Sequence, residues 1–183
     1  MRFFYDTEFN ERGRAHPLEL ISIAMVAEDG RRFYACNAGF DASRATRFAR
    51  TRVLALLPPR TDACWMQPGQ IARELRAFVG AGPPELWSDF AAYDHVVLAQ
   101  LFGTMDEWPP AWPKFTCDIQ QWRLALGNPP LPEIEGLPDW VGEQIGLRSL
   151  PDAMRQAHVA IADALLTWGR WLLLEELHRK FRG

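Results

Sequence analysis

Five residues of this chain carry groups suited to handling a divalent cation and a proton: Asp6, Glu8, Asp94, His158 and Asp163. Asp6 and Glu8 stand two apart at the end of a short aromatic run, Phe3-Phe4-Tyr5, that reads as a strand. A period of two puts both carboxylates on one face of a sheet. Two acids there repel each other unless a cation sits between them, and hard cations such as Mg²⁺ or Mn²⁺ prefer carboxylate oxygens. An Asp-x-Glu triplet arises by chance in many chains, so its weight comes from its place at the end of the first hydrophobic strand. Asp94 lies near the start of a helix that follows a strand. An acid there satisfies the helix dipole, yet strand-to-helix junctions also bring functional groups to the sheet edge in α/β proteins. Asp163 falls in the first turns of the final helix, five residues after His158. Five steps of about 100° leave the two side chains about 140° apart on a continuous helix. They converge only if His158 lies in the loop before the helix or at its distorted start; otherwise a histidine in that place packs or caps.

The elements that must position these groups follow from periodicity and turn residues. After the first strand, residues 18–27 read as a second, with Leu20, Ile21, Ile23, Met25 and Val26. Glu28-Asp29-Gly30-Arg31 forms a hairpin turn and residues 32–37 return as a third strand, giving a three-stranded antiparallel meander. Residues 43–57 predict a helix ended by Pro58-Pro59. Residues 68–79 predict another, with Ile71, Leu75 and Phe78 at helical spacing and Gly80 beyond its end. A short strand over 85–88 precedes a helix over about 93–102. Residues 108–113 are a proline-aromatic loop, and 115–126 hold a strand or helix start and then a helix. The stretch 127–151 carries five of the fourteen prolines and reads as a long loop with one helical turn at 139–145. The tail, from about residue 160 to 181, is a long amphipathic helix. Strand and helix in alternation imply an α/β sheet with some parallel pairing. Without an internal repeat or a composition shift, residues 1–183 read as one domain.

The 183 residues, 48% hydrophobic and 23% charged, suffice for one real core. No stretch approaches the ~18 apolar residues of a membrane span, and Asp6 interrupts the N-terminus where a signal peptide needs its apolar core, so a cytoplasmic protein is expected. Cys36, Cys64 and Cys117 show no metal-type spacing and read as reduced thiols. A net charge of −3 argues against coating nucleic acid with a broad basic surface. It leaves room for gripping a chain end, where metal ions supply positive charge. Eighteen of the twenty basic residues are arginine, which suits bidentate phosphate binding but also follows from an arginine-biased genome.

Taken together, Asp6-Thr7-Glu8, Tyr93-Asp94 and His158-Val159-Ala160-Ile161-Ala162-Asp163-Ala164 resemble the three motifs of the DEDDh 3′–5′ exonuclease family. The last is the most specific, matching His-x-Ala-x-x-Asp-Ala. Within that family the chain is most similar to the ribonuclease AS type of exoribonuclease, through Tyr5 to Phe9, Glu19 to Ile23, Val26 to Gly30 and Ala92 to Val96. The likeness covers roughly the first 126 residues and the last 35. Many members carry asparagine four residues before the second-motif aspartate; here that residue is Phe90, so no role carries over to it. The resemblance implies a ribonuclease-H-like fold with a mixed five-stranded sheet flanked by helices, two Mg²⁺ or Mn²⁺ ions on Asp6, Glu8, Asp94 and Asp163, His158 as general base, and a homodimer. The implied substrate is the 3′ end of single-stranded RNA, shortened by one 5′-nucleoside monophosphate at a time. A DNA exonuclease shares the same five residues, and an inactive nucleic-acid-binding module would have lost one of them.

Phe9 and Leu18 are candidates for packing against the terminal base, since stacking contributes about 1–3 kcal/mol per base; for Leu18 a core position is an equal alternative. His16 reads as a solvent-exposed turn residue, Trp87 as core, and the apolar face of the tail helix as core or dimer contact.

Overall fold

A computed structural model describes residues 1–182 of the chain. Strands β1 (Arg2–Asn10), β2 (Glu19–Ala27) and β3 (Arg32–Asn37) form the expected antiparallel meander. Gly30, at φ 89°, supplies the left-handed residue that the Asp-Gly turn demands. There follow β4 (Trp65–Met66), α1 (Pro68–Val79), β5 (Glu85–Ser88), α2 (Ala91–Phe102), β6 (Cys117–Asp118), α3 (Ile119–Ala125), α4 (Asp139–Gln144) and α5 (Ala160–Arg182). The sheet order is β4-β3-β2-β1-β5-β6, with β5 parallel to β1, β6 to β5 and β4 to β3. This is a mixed sheet flanked by helices, compatible with a ribonuclease-H-like fold. It has six strands where five were expected, and both β4 and β6 are only two residues long.

Alternation along β1 decides which groups meet. Phe3 and Tyr5 pack with Ile23 and Met25 under Ile71 and Leu75 of α1 and Val97 and Leu98 of α2. Phe4 points the other way, into a cluster with Ala160, Leu165 and Trp168 of α5, where it stacks on Trp168 at 5.8 Å. Burying a phenylalanine ring of this kind contributes about 1.5–3 kcal/mol. The same alternation carries Asp6 and Glu8 onto the face that α5 covers. β1 lies at the centre of the sheet, so its end is walled by helices on both sides.

Residues 43–57 do not form the single helix expected. Ala42–Arg44 is a 3-10 turn, Ala45 is extended, and helical geometry starts only after Thr46, with wide turns over Ala49–Val53 and a tight one over Leu54–Leu56. The cause is Asn10, which is fully buried at the end of β1. Its Nδ2 donates to the Arg44 carbonyl at 3.2 Å, and its Oδ1 accepts from the Thr46 N–H at 2.9 Å. Those are backbone groups a continuous helix would use itself. Ala45, Ala49 and Val53 then recur at four-residue spacing and bury against Ile21 and Phe40.

Candidate active site

The end of β1 and the start of α5 build the centre. One carboxylate oxygen each from Asp6, Glu8 and Asp163 lies within 4.8 Å of the other two. α5 can approach β1 this closely because Ala160, Ala162 and Ala164, all fully buried, present only methyl groups at its first turns. The two alanines of the His-x-Ala-x-x-Asp-Ala pattern therefore have a steric reason. A bulge follows Glu8: it pairs with Ser22, whereas Phe9 pairs with Leu20. Such an irregularity re-aims the strand next to the acids, and Phe9 ends stacked flat on Tyr93 of α2, 5.7 Å between ring centres at 5°.

Asp94 stands outside that trio and lines the same cavity from the opposite side of the sheet. Its Oδ1 accepts from the Thr7 backbone N–H at 3.0 Å and the Thr7 hydroxyl at 2.5 Å. Its Oδ2 accepts from the Ser88 hydroxyl. Thr7 lies between Asp6 and Glu8, so its side chain leaves the other face of β1 and reaches α2. The turn into α2 passes through Phe90 in the left-handed region, φ 60° and ψ 49°, and the Ala91 N–H donates to Asp118 Oδ2 at 2.9 Å.

His158 lies outside α5, in the left-handed region at φ 66°. Its backbone N–H donates to Asp163 Oδ2 at 2.8 Å, so the aspartate closes the helix start over the five-residue interval. The 140° separation of a continuous helix does not arise. The imidazole ring meets Phe48 edge-on at 5.2 Å.

The electrostatics are those of uncompensated acids. Among the described residues none of the four carboxylates forms an ion pair, and the buried Asp6 Oδ2 has no hydrogen-bond partner. Arg170, whose charge acts on Asp163, is already engaged by Asp89 and by Glu133 at 3.1 Å. Burial, then the charges of Asp94, Asp163 and Glu8, holds Asp6 well above the usual carboxylate range. Burial and the charges of Asp163 and Asp94 push Glu8 up to about 8. Asp94 is raised by burial to about 6, with the Ser88 and Thr7 hydrogen bonds pulling downward. Asp163 is raised by burial to about 6 against the His158 N–H and Arg170. An all-oxygen donor set, negative and partly unpaired, fits a hard divalent cation such as Mg²⁺ or Mn²⁺ better than a thiolate- or imidazole-seeking metal.

Asp6, Glu8, Asp94, His158 and Asp163 line one cavity of about 540 Å³, together with Thr7, Phe9, Glu11, Thr46, Phe48, Asp89, Phe90 and Tyr93. All five motif residues and Phe9 are thus brought together. Leu18 is not: it packs against the core on the α1–α2 side of the sheet, as its core alternative had it. His16 is exposed in the β1–β2 turn, and Trp87 packs on Trp122 and Trp171.

No protein-family model matches the chain. A 3′–5′ exoribonuclease of Mycobacterium tuberculosis (strain CDC 1551 / Oshkosh) is 47% identical over 135 residues, which is 72% of this chain and 79% of the relative. Its counterpart in strain H37Rv gives the same figures. The chain belongs to this 3′–5′ exoribonuclease family. For a member of that family the structure adds Thr7, Phe48 and Tyr93 to the cavity walls, and Ser88 behind them as a donor to Asp94, none of which sequence reasoning singled out for the site. Thr7 and Ser88 carried a faint signal, as hydroxyl residues beside acidic motifs. Phe48 carried none, since only the Asn10 clamp places it beside His158.

Proposed function

We propose that this chain is a metal-dependent 3′–5′ exoribonuclease of the DEDDh type, close to the ribonuclease AS type, with one exonuclease domain over residues 1–183 that works as a homodimer. The observation that carries the reading is the convergence of Asp6, Glu8 and Asp163, uncompensated, beside Asp94 and His158 in a member of an exoribonuclease family. Asp6, Glu8, Asp94 and Asp163 would hold two Mg²⁺ or Mn²⁺ ions, which when bound polarise phosphoryl oxygens and lower the pKa of water.

The chain's own groups do the rest. Thr7 and Ser88 fix both oxygens of Asp94 and offset part of the upward push that burial gives its carboxyl. Phe9, braced by Tyr93, offers a flat apolar face to the terminal base. His158, off the helix and facing the cavity, accepts the proton of the attacking water as its oxygen bonds to the terminal phosphorus. The bond from phosphorus to the 3′-oxygen breaks, that oxygen takes a proton, and a 5′-nucleoside monophosphate leaves. RNA is preferred over DNA in this reading because both relatives are named exoribonucleases.

The test is a 5′-labelled RNA with Mn²⁺, beside DNA of the same sequence and an RNA ending in a 3′-phosphate. A descending ladder from RNA, little from DNA and a slowed reaction at the blocked end are expected. Equal cutting of DNA would move the protein to the DNA exonucleases, and fragments from a circular RNA would remove it from the exonucleases.

A further inference from the structure

We propose that residues 44–52 form a track for the RNA chain upstream of the nucleotide being removed, with Arg47 and Arg52 neutralising its phosphates; this inference rests on the exoribonuclease reading. Between Asp41 and Asp62 the sequence holds Arg44, Arg47, Arg50, Arg52 and Arg60 and no acid, in a chain whose net charge is −3. Three of these arginines are occupied. Arg44 pairs with Glu19 at 3.4 Å, Arg50 donates to the Ala45 carbonyl at 3.1 Å, and Arg60 lies over the Trp65 ring at 3.9 Å. Arg47 and Arg52 are exposed, and among the described residues their guanidinium groups have neither an ion pair nor a hydrogen bond.

Their direction is set by the fold. Burial of Ala45, Ala49 and Val53 leaves residues 47, 48, 50 and 52 on the outward side. The segment also begins at the reaction centre: Thr46 and Phe48 line the cavity with the carboxylates, and the Phe48 ring, 56% exposed, touches His158 edge-on. An aromatic face followed by free guanidinium groups is the chemistry that holds a single strand, by stacking and by phosphate neutralisation. The neighbouring hollow, which shares Asp163 with the first, repels: Glu133 and Glu135 line it, and Arg170 already serves Asp89 and Glu133. A polyanion entering a cavity lined by six acidic residues is therefore drawn in along the arginine side.

The experiment compares the wild type with Arg47→Gln/Arg52→Gln and Arg47→Glu/Arg52→Glu. The substrates are a 5′-labelled twelve-nucleotide single-stranded RNA and a trinucleotide with the same 3′ end, under saturating Mn²⁺. The wild type should show a KM for the longer RNA at least about tenfold below that for the trinucleotide. The glutamine variant should lose most of that advantage and the glutamate variant all of it, each with kcat within about twofold of wild type, which also reports an intact fold. The slope of log kcat/KM against log salt on the longer RNA should become shallower by about 1.4, for two lost phosphate contacts on a single strand. Equal KM for the two RNAs in the wild type overturns the track while leaving the exoribonuclease reading in place. So does an unchanged KM advantage in both variants. A wild type that shortens neither RNA overturns both.

Discussion

Glu8→Gln perturbs an acid that the fold holds far from its ordinary value. Glu8 is 7% exposed, and burial with the charges of Asp163 and Asp94 lifts it from 4.5 to about 8. Between those values the folded chain keeps a proton that the unfolded chain has released. The contribution of this group to metal-free stability is therefore fully present below about pH 4.5 and is lost as pH rises through about 8. Three to four pH units at about 1.4 kcal/mol each set a ceiling near 5 kcal/mol. Because the neighbouring acids titrate together with Glu8, about 2–4 kcal/mol is expected from this one group. Glutamine keeps the shape and removes the charge. In EDTA at pH 8.5 the variant should melt about 4–16 °C above wild type, at ~2–4 °C per kcal/mol for a chain of this size. At pH 5 the two should agree within a few degrees. Saturating Mn²⁺ should reverse the order at pH 8.5, because the wild type binds the cation better and binding stabilises the folded state. Thermal melts by circular dichroism provide the measurement. A wild-type melting temperature flat from pH 5 to 8.5 in EDTA, or a variant no more stable at pH 8.5, would refute the reasoning.

Asp6→Asn and Asp163→Asn should each remove nearly all RNA shortening while leaving the metal-free fold at least as stable, since like-charge repulsion falls; gel ladders and melts check both halves. His158→Ala should slow turnover on the order of 10²–10⁴-fold, with Mn²⁺ affinity by calorimetry near that of wild type. Ser88→Ala removes a donor that pulls Asp94 downward, so the acid limb of the kcat/KM pH profile should move to higher pH, with a larger loss at pH 6 than at pH 8.5.

Much of this was legible in the sequence because the relevant signals are local. The meander needs only β-prone runs and one Asp-Gly turn. The convergence of Asp6 and Glu8 needs only the period of two, and α5 announces itself over 23 residues. The His158 problem was posed correctly by helix geometry and resolved by a left-handed residue, which a sequence does not display. The failures are tertiary. Residues 43–57 have helical composition, yet Asn10, more than thirty residues away, takes their backbone groups. Leu18 sits next to β2 by sequence but faces the core, because the pleat rather than proximity decides. The support of Asp94 by Thr7 and Ser88 depends on β5 lying beside β1, a pairing between segments some eighty residues apart.

The most direct test of the central claim, that the carboxylates act as one unit through bound metal, is titration of EDTA-treated protein with Mn²⁺, following heat of binding and RNA shortening in the same samples. Binding of two ions per chain, with activity returning in step and both lost in Asp6→Asn, is the expected result. Full activity in EDTA, or activity that returns without measurable binding, would contradict it.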